Sequence, residues 1–91
     1  MSVSIEKLGD DVFEVTVAKT STTTHTVTVT DQSLNDLTDN NVSKTQLLEF
    51  SFKFLLDREP NTSILKSFDV NLISRYFSDY RDKVTRWCNE G

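Results

Sequence analysis

The feature that most constrains this chain is the strict alternation of apolar and polar side chains through its first third. Phe13, Val15 and Val17 alternate with Glu14, Thr16 and Ala18, and His25, Val27 and Val29 alternate with Thr24, Thr26, Thr28 and Thr30. Successive side chains of a strand point to opposite faces, so a period of two marks half-buried strands. Val3 and Ile5 begin the same pattern between Ser2 and Leu8. Gly9 with Asp10 supplies one tight turn and Lys19 to Thr22 the next, which gives a three-stranded antiparallel meander. The threonine-rich stretch from Thr20 to Thr30 is the wet face of that sheet, because β-branched threonine suits a pleated surface. Three strands have one apolar face to cover, and the cover must come from downstream.

The downstream half changes period. Asp31 to Thr38 reads as a short helical turn, followed by the polar connector Asp39, Asn40, Asn41. Ser43 and Gln46 stand at the spacing of a capping box, and Val42 can pack on Leu47 as a hydrophobic staple, so a helix is expected to start at Lys44. It carries Leu47, Leu48, Phe50, Phe52, Phe54, Leu55 and Leu56 around more than half of its circumference, the pattern of a central buried helix. Pro60 ends it. Ile64 to Phe68 is expected to form a short helix or turn, and Asp69 to cap the next helix. Val70, Ile73, Phe77, Tyr80, Val84 and Trp87 are then spaced 3, 4, 3, 4, 3 along one helical stripe. The stripe fits one long helix, or two with Ser78 capping the second, and the Ser-Asp start signal favours the break. The expected fold is α+β: a three-stranded antiparallel β-meander followed by three to four α-helices packed on one face of the sheet.

A chain of 91 residues fits one hydrophobic core, so residues 1–91 are read as a single domain. The net charge of −4 argues against generic attraction to nucleic acid or to an anionic membrane. Seven acidic and two basic residues lie in Met1 to Ser43, against seven acidic and eight basic in Lys44 to Gly91. Basic side chains gather only at Arg75, Arg81, Lys83 and Arg86. The lone Cys88 can form no internal disulfide, and no stretch reads as a leader or a membrane span, which points to a cytoplasmic protein. The sequons beginning at Asn41 and Asn61 then carry no glycosylation meaning.

Candidate chemistry is sparse. His25 is the only histidine, so no histidine cluster for a metal can be assembled, and Cys88 has no partner in a catalytic pair unless the fold brings His25 beside it. Asp10 with Asp11 and Asp57 with Glu59 are adjacent acids at a turn and a helix end, without the separation that two-carboxylate hydrolysis needs. The glycines, Gly9 and Gly91, form no phosphate-binding loop. No cofactor is implied. A helix-turn-helix reading scores poorly, because Arg75 with Asp79, Asp79 with Lys83 and Asp82 with Arg86 would neutralise one another at i, i+4 spacing. The apolar stripe could serve as a weak dimer seam, but it lasts under three heptads. Arg58, Asn61 and Ser63 lie on the most polar loop between apolar elements, where a binding site is most readily placed.

The run SFKFLLDREPNTSIL followed by SFDVNLISRYFSDY, together with the strand HTVTV, resembles a group of short bacterial proteins of unknown function over most of the chain. The resemblance implies a bacterial source and brings no activity, cofactor or site. The function expected from the residues is that of a small non-enzymatic interaction module that binds another protein through the sheet edge or the final helices. The alternative is a nucleic-acid-binding regulator using Arg75, Arg81, Lys83 and Arg86.

Overall fold

The computed structural model describes residues 2–90. Strands β1 (Ser2–Lys7), β2 (Val12–Ala18) and β3 (Thr22–Thr28) form the expected antiparallel meander, with Ile5 opposite Val15 and Val15 opposite His25. Phe13, Val15, Val17, His25, Val27 and Val29 are buried, and the residues between them on β2 are half-exposed, as the period of two requires. The hydrogen bonds alternate with equal regularity. Leu8 N–H donates to the Val12 carbonyl and Val29 N–H to the Asp11 carbonyl, so even-numbered residues of β2 bond to β1 and odd-numbered ones to β3.

The sheet has a fourth strand. Ser67 and Phe68, expected within a short helix or turn, form β4 (Ser67–Asp69) together with Asp69 and pair parallel to β3, which makes the order β1-β2-β3-β4. Parallel pairing needs a crossover, and helices α1 (Asp31–Thr38) and α2 (Lys44–Leu56) provide it. Thr30 caps α1 by accepting from Ser33 N–H, and the helix ends on Asp39 and Asn40 at φ of 53° and 60°. Short polar side chains tolerate that left-handed region, so the connector turns sharply without glycine. The capping box on α2 is complete: Ser43 accepts from Gln46 N–H, and the Gln46 side chain accepts from Ser43 N–H. After β4, Asp69 caps a single 3-10 turn over Val70–Leu72 that runs into the four-residue α3 (Ile73–Tyr76). The chain turns extended at Phe77 (φ −130°, ψ 100°), and α4 (Tyr80–Glu90) begins anew, so the stripe is two helices rather than one.

Both apolar helical segments contribute side chains to the core. Leu47, Leu48, Phe52, Phe54 and Leu55 of α2 are buried together with Val70, Ile73, Tyr80 and Val84, while Phe77 and Trp87 are partly buried against them. The stripe is therefore core, which removes it as a dimer seam. Trp87 stacks on Phe50 at 4.6 Å between ring centroids, and Phe54 meets Phe77 and Tyr80 edge-on.

One lysine ties the layers together at the turn end. Lys44 Nζ donates to Asp11 (2.9 Å), Asp31 (2.7 Å) and the Asp10 carbonyl (2.9 Å), joining the β1–β2 turn to the starts of both helices. Hydrogen bonding to Lys44 holds the Asp31 carboxyl below its ordinary value, and the two carboxylates hold the Lys44 ammonium above its own. A lowered acid stabilises above its unfolded pKa and a raised base below its own, so the tie is fully present between the carboxylate range and about pH 10.5. Lys44→Met should lower the melting temperature at neutral pH, more at low salt than at high. The difference from the unsubstituted protein should shrink as pH falls through the carboxylate range.

Candidate functional site

The loop after α2 is where the residues point to a site, and the fold buries Asn61 while leaving Arg58 and Ser63 exposed. Asn61 opens a 3-10 turn (Asn61–Ser63) and is 4% exposed. Its side-chain amide donates to the Ser21 carbonyl and to Thr23 Oγ1, both at 2.9 Å, clasping the β2–β3 turn. Thr23 Oγ1 also lies 2.8 Å from Nε2 of His25, whose Nδ1 lies 2.7 Å from the Leu65 carbonyl. A carbonyl only accepts, so Nδ1 carries a hydrogen. His25, 1% exposed and 5.5 Å from the Phe52 ring, thus has both nitrogens engaged and is unavailable as a base or a metal ligand. A chain of buried Asn61, half-buried Thr23 and buried His25 fastens the segment leading into β4 to the rest of the sheet.

Arg58 is also engaged within the fold. Its guanidinium lies 3.6 Å over the Phe54 ring, donates to the Phe54 carbonyl at 3.2 Å and pairs with Asp79 at 2.6 Å. Cation–π contact and charge-assisted bonding together pin the end of α2 to the turn before α4. Asp79 pairs with Arg58, and none of the expected pairs Arg75–Asp79, Asp79–Lys83 and Asp82–Arg86 closes among the described residues. Arg75, Arg81 and Arg86 are exposed, and Arg86 shares a groove with Asp79, Asp82 and Lys83, so basic and acidic side chains mix there. Among the described residues no group of three or more His, Cys, Asp or Glu could hold a metal ion.

Ser63 lines an apolar concavity that neither Arg58 nor Asn61 reaches. This cleft of about 330 Å³ opens between the end of α2, the segment Ser63–Leu65, β4 and α3. Its floor is apolar and buried, formed by Leu55, Ile64 and Ile73, with Phe68 and Phe77 at the sides. At the rim stand Leu65, 46% exposed, and Tyr76, 67% exposed, and Glu59 and Ser63 are the other polar residues of the lining besides the tyrosine. Leu65 and Tyr76 thus stand exposed beside a buried apolar floor. That volume is at the low end of ligand pockets, roughly 300 to 1,000 Å³, and suits one or two large side chains.

Leu65 and Tyr76 were not among the residues singled out by pattern. Tyr76 carried a readable signal all the same, since it is a bulky aromatic that falls outside the 3-4 stripe beside Phe77. Leu65 carried none, because Ile64 next to it is buried and either could have faced in. Among the described residues no helix is long and apolar enough to cross a membrane. No protein-family model, curated protein or solved structure matches the chain.

Proposed function

We propose that this protein is a small interaction module that binds a segment of another protein in the cleft beside β4. The observation that carries the reading is the exposure of Leu65 and Tyr76 at the rim of a buried apolar floor. The anchor is one large aliphatic or aromatic side chain. A basic or amide donor next to it meets Glu59, the one charged group of the lining. His25 and Asn61 serve this surface indirectly, by holding the Leu65 backbone in place. The inward commitment of His25 and Asn61 supports a binding role over a catalytic one, and the mixed charge around Arg86 supports a protein partner over nucleic acid.

The test is selection of displayed random peptides on the folded protein, followed by amide chemical-shift mapping of the winners. Selected peptides should share a bulky apolar residue, shift the amides of Leu65, Tyr76 and Phe77, and lose at least tenfold in affinity on Leu65→Asp or Tyr76→Asp. Peptides that bind both variants as well as the unsubstituted protein would refute the assignment.

A further inference from the structure

We propose that the β1 edge of the sheet pairs with the β1 edge of a second copy of this chain, antiparallel about a two-fold axis through Ile5. The sheet order leaves β1 and β4 as its edges. By the alternation of hydrogen bonds, β4 has only Ser67 and Asp69 facing outward, too short a row to template a strand. On β1 the even-numbered residues bond to β2, so the N–H and C=O groups of Val3, Ile5 and Lys7 all face outward. The side chains of Val3 and Ile5 are partly buried on the core's open flank, so a strand placed there would continue the apolar face.

The pattern is self-complementary in one register. With Ile5 opposite the partner's Ile5, Val3 stands opposite the partner's Lys7, and the outward groups of all three residues form hydrogen-bonded pairs. The β-branched Ile5 side chains meet on the apolar face, and Ser4 stands opposite the partner's Glu6 on the other, so no like charges oppose each other. A register about Lys7 sets two ammonium groups face to face. Isologous pairing of this kind closes on itself as a dimer and leaves the β4 edge, with its cleft, outside the interface. The patch is smaller than the roughly 1,200 to 2,000 Å² of stable interfaces, so association is weak and concentration-dependent.

Sedimentation equilibrium of the full chain should show the mass rising towards that of a dimer as concentration reaches about 1 mM, the range of weak affinities. Register is read by cysteine cross-linking in a Cys88→Ser background. Opposed Ile5→Cys residues lie about 5.5 Å apart between Cα atoms, inside the disulfide range. Ser4→Cys residues lie diagonally at about 7 to 8 Å and outside it. Oxidised dimer from Ile5→Cys and little from Ser4→Cys is the expected result. A monomer at every concentration, or cross-linking of Ser4→Cys equal to or above that of Ile5→Cys, would overturn the proposal.

Discussion

His25→Ala should destabilise the fold by about 3–5 kcal/mol, a large part of the roughly 5–15 kcal/mol that holds a domain of this size. Two losses add. The ring is fully buried against Phe52, and its removal leaves a cavity. The Leu65 carbonyl and Thr23 hydroxyl also lose their bonds to the ring. Asn61→Ala should cost less, about 1–3 kcal/mol, because the Ser21 carbonyl and Thr23 lose one donor but little volume is vacated. Since both residues act on Thr23, the double variant should cost less than the two single changes combined. Urea unfolding followed by circular dichroism measures all three. A cost under about 1 kcal/mol for His25→Ala would show that the chain of Asn61, Thr23 and His25 does not hold β4 in place.

The second large effect is expected at Tyr80, the largest fully buried side chain of the core. Ser51 Oγ donates to the Leu47 carbonyl at 2.7 Å and lies 2.6 Å from the Tyr80 hydroxyl. With the serine proton committed to the carbonyl, the phenol is the donor between them. Tyr80→Ala should therefore cost about 3–5 kcal/mol by cavity formation, but Tyr80→Phe only about 1 kcal/mol, since Ser51 keeps its bond to Leu47. Burial pushes the phenol up from 10.0 to about 12. A raised folded-state pKa stabilises below the unfolded value, so this contribution is complete below pH 10 and is lost as pH rises through about 12. In a Tyr76→Phe background, phenolate absorbance reports Tyr80 alone and should rise together with unfolding. Ionisation near pH 10 with the fold intact would contradict the buried donor.

Most of the architecture was legible because its signals are long or chemically specific. The meander rests on alternation sustained over strands of six and seven residues, and the start of α2 rests on a capping box that the structure forms in full. What escaped is short or non-local. β4 is three residues with one apolar side chain, too few for a period of two to show, and its pairing to β3 depends on two intervening helices. The break was legible from the Ser-Asp signal, but α4 starts at Tyr80 and Ser78 does not cap it. The loop Arg58 to Ser63 looked like a site because it is polar, but polar residues serve buried carbonyls as readily as ligands. Asn61 was needed by the β2–β3 turn and Arg58 by Asp79, partners 40 and 21 residues away in the chain. The cleft was hidden for the complementary reason: its defining residues are apolar, and apolar residues are first assigned to the core.

The central claim is that Leu65 and Tyr76 are held at the surface for a partner and are surplus to folding. The most direct measurement is the unfolding free energy of the double variant Leu65→Ser, Tyr76→Ser. Both side chains are largely exposed, so the change should stay within about 1 kcal/mol of the unsubstituted protein while binding of cleft-selected peptides is lost. A loss of about 3 kcal/mol or more would place both residues in the core and contradict the account.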